Sequence, residues 1–140
     1  MGLSIHYSGT IRHISLIEQL IEETTDVCKS LQWKYNVIWE SGDEGVNGVV
    51  FSPADCEPVF LTFLPTRKMC SPINLKHKKS YTANGLDPEL IFTTSTKTQY
   101  AGPPVHIALL KFLKYLKGKY FDIFEMDDEG LYWKRITRRY

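Results

Sequence analysis

The chain has 140 residues, 43% of them hydrophobic, with 17 basic and 16 acidic side chains for a formal charge of +1. That length and apolar content exclude a disordered chain and allow one domain, residues 1–140, with a real core. The balanced charge supplies no global field for nucleic acid or an anionic membrane, and no apolar run is long enough to span a bilayer.

Leu3, Ile5 and Tyr7 alternate with Ser4, His6 and Ser8, the period of a half-buried strand. A helix is expected from about Leu16 to Gln32. Ile17, Leu20, Ile21, Thr24, Cys28 and Leu31 recur at helical spacing, and Ser15 with Glu18 matches a capping box. Short β-type runs follow: Tyr35 to Glu40, Val46 to Ser52, Val59 to Phe63, Met69 to Leu75 and the threonine-rich Leu90 to Thr98. Ser41 to Gly45 and Leu64 to Arg67 read as turns, and Pro58 suits a strand start.

The strongest periodic signal is Gly102 to Phe121. Val105, Ala108, Leu109, Phe112, Leu113, Leu116 and Tyr120 form its apolar stripe, Pro103 and Pro104 suit its first turn, and Gly118 is its expected stop. Ile107 and Leu110 fall among Lys111, Lys114 and Lys117 on the opposite side. They are either scattered surface aliphatics or a second contact, with the C-terminal segment or in a homodimer. Phe121 to Met126 and Leu131 to Ile136 complete the chain as a hairpin.

Strands joined by short turns require antiparallel pairing, so the expected class is α+β: a mainly antiparallel sheet with two amphipathic helices on one face. The order of one strand, a helix, a meander and a long helix resembles the repeat unit of the TATA-binding-protein fold. The resemblance is one of topology, extends through the long helix, and implies no function.

No motif specifies a chemistry, a cofactor or a metal. His6, His13, His77 and His106 lack the tight spacings of zinc or iron ligands, and His106 lies near a helix N-terminus, a poor place for a cation. Cys28, Cys56 and Cys70 are odd in number and form no C-x-x-C pair. They are expected as free thiols, with cytoplasm as the compartment. Gly42, Gly45 and Gly48 lie beside Asp43 and Glu44, which would repel phosphate, so this stretch reads as a hairpin loop.

Three functions fit. A non-catalytic interaction or ligand-binding module would use an uncovered sheet face or the helix edge at Ile107 and Leu110 to hold a protein partner or itself. A nucleic-acid-binding domain would use Lys97, Gln99, Lys134, Arg135, Arg138 and Arg139, although Glu125, Asp127, Asp128 and Glu129 can neutralise the basic end. A small-molecule enzyme would need His6, Glu40 and Lys97 to converge as an acid/base set. Lys97 also has a structural reading, as the guard of an edge strand.

Overall fold

The computed structural model describes residues 4–40, 45–53, 55–71, 92, 94–98 and 103–128. Loop residues 41–44, the expected strand Met69 to Leu75 beyond Ser71, His77, Gln99, and the closing strand and basic end from Leu131 to Tyr140 lie outside them. Among the described residues the order is β1 (Ser4–Ile11), α1 (Leu16–Leu31), β2 (Lys34–Trp39), β3 (Asn47–Ser52), β4 (Val59–Phe63), β5 (Thr94–Lys97), α2 (Pro103–Tyr120) and β6 (Phe121–Asp128). The class is α+β. All pairing is antiparallel, in two three-stranded sheets ordered β5-β1-β6 and β2-β3-β4.

The two sheets are stitched together by the segment after β4. Met69 donates its N–H to Gly9 O and Ile11 donates to Arg67 O, while Cys70 donates to Thr62 O and Leu64 to Lys68 O. One short segment thus satisfies backbone groups on β1 and β4 at once. A second bridge is the phenol of Tyr7, which accepts the N–H of Phe60 and lies 3.5 Å from Thr96 Oγ1.

Both helices cover the core-facing side of the strands. Ile17, Leu20, Thr24 and Cys28 of α1 are buried, and the helix lies over β2 and β3. Phe112 of α2 meets Phe51 of β3 edge to face at 6.1 Å, and Trp33 stacks on the same Phe51. Phe63 of one sheet and Phe121 of the other lie 5.8 Å apart, so one apolar core spans both. Between the helices, Tyr115 donates to Glu23 at 3.1 Å and Lys119 pairs with the same carboxylate.

Three local expectations are corrected. Ser15 makes no side-chain cap, because it is already in helical conformation. The carbonyls of His13 and Ile14 start the turn instead, accepting from Leu16 and Ile17. Gly118 does not stop α2, which continues to Tyr120. The Arg12 guanidinium donates to the carbonyls of Gly118 and Lys119, satisfying groups that a glycine cap would otherwise serve.

The third correction concerns the stripe of α2. Its buried residues are His106, Leu109, Leu110, Leu113, Leu116 and Tyr120, while Ala108 is exposed. Relative to the expected stripe the helix is rotated by roughly half of one residue's 100° step. Leu110 is therefore fully buried in the core, and Ile107 is half-buried against it. The helix edge proposed from Ile107 and Leu110 is not an open surface: the chain's own packing occupies it.

Candidate functional site

The side of the β5-β1-β6 sheet turned away from the helices carries the polar groups that sequence reading singled out. Strand pairing sets Ser4 opposite Lys97 and His6 opposite Ser95 on one flank of β1. On the other flank, His6 faces Asp127, Ser8 faces Glu125 and Thr10 faces Ile123. Directly paired residues share a face, so His6, Ser8, Thr10, Ser95, Lys97, Ile123, Glu125 and Asp127 form one outer surface. His6, Ser95, Lys97, Ile123, Glu125 and Asp127 are exposed. Thr94 and Thr96 turn inward and are buried, as strand alternation predicts.

At one end this face dips into a hollow of about 180 Å³ lined by Ser8, Gly9, Thr10, Lys68, Met69, Phe92, Ile123 and Glu125. The stitching segment forms one wall, because Thr10 bridges Lys68 in antiparallel fashion. The ammonium of Lys68 lies 4.7 Å from the centre of the Phe92 ring, a cation–π contact that holds both groups at the rim. The hollow therefore offers hydroxyls on its floor, an apolar patch from Ile123, Met69 and Phe92, and one cation and one carboxylate.

None of Lys68, Phe92, Ile123 or Glu125 was selected as a ligand-facing group from sequence, and Ile123 shows why. The pairing of β1 with β6 shifts between Thr10 and Ile11, where Phe121 and not Asp122 opposes Ile11. This bulge lets Phe121 and Phe124, three residues apart, both face the core, and it turns Ile123 outward at 58% exposure. Simple alternation would have put Phe121 and Ile123 on the same side.

Of the expected acid/base set, the fold brings His6 and Lys97 to one face and leaves Glu40 on the other sheet. Glu40 follows β2 and serves its hairpin: its N–H donates to Asn47 Oδ1 and its Oε2 accepts the N–H of Val46. The carboxylate in register with His6 is Asp127. Lys97 also has a structural tie, since its backbone N–H donates to Glu57 Oε1 and its carbonyl accepts the N–H of Glu57. His106 is buried, with Nδ1 2.5 Å from Thr98 Oγ1, so it belongs to the core.

The three cysteines are free, and burial pushes each thiol up to about 11, away from a thiolate at neutral pH. Negative neighbours, Asp55 for Cys56 and Glu40 for Cys70, act in the same direction. Among the described residues no group of three His, Cys, Asp or Glu side chains is placed to hold a metal ion, and no helix is long and apolar enough to cross a membrane. The chain matches no known family model, curated protein or solved structure. The likeness to the TATA-binding-protein repeat thus rests on element order alone.

Proposed function

We propose that the protein is a non-catalytic binding module whose open sheet face holds an extended segment of a partner protein. The observation that carries this reading is the hollow between β1, β6 and the stitching segment. Its volume is below the roughly 300–1,000 Å³ typical of small-molecule pockets. One apolar side chain suits its Ile123, Met69 and Phe92 patch, while Lys68 and Glu125 can receive a flanking carboxylate and a flanking cation. Glu125 and Asp127 on the same face oppose a nucleic-acid backbone, whose phosphates the nearby Lys97 would otherwise attract.

The test is selection from a displayed library of short peptides, followed by titration of the best binder. Binding should perturb the amide resonances of Ser8, Thr10, Ile123 and Glu125. Ile123→Asp and Glu125→Lys should each weaken it by about ten-fold, equivalent to ~1.4 kcal/mol. Affinity unmoved by both substitutions would remove this face from the reading.

A further inference from the structure

The strand β2 carries a second surface, on the other sheet. Among the described residues it pairs on one side only, with β3. Val37 is 49% and Trp39 63% exposed, although register places them on the core-facing side, opposite Val49 and Asn47. Both are thus apolar groups on the inner face of the edge that remain exposed although α1 packs over β2 and β3. No proline and no bulge interrupts Lys34–Trp39, and its one charged side chain, Lys34, stands at the end of the strand.

We propose that β2 pairs antiparallel with β2 of a second copy of this chain, about a two-fold axis through Val37. The occupant follows from the sequence of the edge. Lys34 and Glu40 are equally spaced on either side of Val37, as are Tyr35 and Trp39. An antiparallel pair centred there sets Lys34 against Glu40 of the second copy, twice, on the outer face. It sets Tyr35 against Trp39 of the second copy, twice, on the inner face, with the two Val37 side chains meeting at the axis. Lys34 has no ion pair among the described residues, and Trp39 and Tyr35 have no ring contact there. Glu40 uses one carboxylate oxygen on Val46, which leaves the other for the lysine. Pairing satisfies the outward backbone groups of the edge, covers its two exposed apolar side chains and matches its end charges in one register.

The experiment is sedimentation velocity of the full chain over a concentration series, with circular dichroism to check folding. The wild type should show a concentration-dependent monomer–dimer equilibrium. Val37→Lys, which sets like charges face to face at the axis, should leave only monomer. Lys34→Glu and Glu40→Lys should each weaken self-association about five- to ten-fold, because each makes both end pairs repulsive. Mixed together, those two variants should form a heterodimer that restores affinity, since every end pair is then opposite in charge. The proposal is overturned by a monomer at every concentration, which leaves the edge to a strand of a different protein. A dimer indifferent to Val37→Lys, or charge variants with no preference for each other, overturns it equally.

Discussion

The phenol oxygen of Tyr7 accepts the backbone N–H of Phe60 at 2.9 Å, so a side chain of β1 completes the hydrogen bonding of β4 across the seam between the sheets. Tyr7 is 2% exposed, and its own backbone carbonyl accepts from Thr94 Oγ1. Phenylalanine would keep the ring and leave the part-buried Phe60 N–H without its acceptor. Tyr7→Phe should therefore cost about 0.5–1.5 kcal/mol, the net contribution of a typical hydrogen bond. Urea denaturation followed by tryptophan fluorescence measures it. A loss within error of zero would mean that the stitching segment and the bonds of β5 to Glu57 and Pro58 hold the seam without this contact.

Leu110 separates the packing of α2 from the surface role expected of it. Truncating a fully buried leucine removes its transfer free energy and leaves a cavity, so Leu110→Ala should cost about 2–5 kcal/mol. Ile107→Ala, at a half-buried site, should cost distinctly less. Thermal unfolding of both variants gives the comparison. Equal and small losses would return Leu110 to the surface.

Gly48 is required by its neighbours. A Cβ built there would stand 2.0 Å from the carbonyl oxygen of Leu61, and φ is +155°. Because the obstacle is backbone of the adjacent strand, no rotamer change relieves it. Gly48→Ala should destabilise the β2-β3-β4 sheet by about 3 kcal/mol or more, read as a fall in the denaturant midpoint. A near-neutral result would show that β3 and β4 can separate locally at little cost.

Sequence periodicity identified both helices, the alternation of β1 and β5, and the α+β class, because those signals are local. Thr94 and Thr96 inward with Ser95 and Lys97 outward is a direct reading of period two. Partner choice was less legible. That β5 joins β1 rather than the meander depends on long-range closure, and with it the placing of His6 and Lys97 on one face away from Glu40. The stripe of α2 was misplaced because Val105, Ala108 and Phe112 made an apolar set as continuous as the one that includes His106 and Leu110. A buried histidine satisfied by Thr98 has no hydrophobic signature in sequence. The hollow was hidden by the bulge at Ile11, which no residue type announces, and by Phe92, whose place depends on a wall built by Lys68.

Stability should fall on the alkaline side for an identifiable reason. Burial pushes Cys28 up from 9.0 to about 11, and burial with the negative charge of Glu40 does the same for Cys70. Burial also raises Tyr7 above its ordinary 10.0. For each group the folded state holds its proton more tightly than the unfolded chain does. The stabilising contribution is thus complete below the unfolded value and is lost as pH rises through the folded one. For the two buried thiols that window runs from pH 9 to about 11, and the loss should reach up to about 2–3 kcal/mol per thiol. Cys28→Ala combined with Cys70→Ala should lower stability at neutral pH by removing packed sulfur, yet flatten the decline through that window. Unfolding midpoints of wild type and double variant at a series of alkaline pH values make the comparison. Parallel declines in the two proteins would assign the alkaline loss to tyrosine and lysine ionisation, because only a thiol contribution can disappear with the thiols.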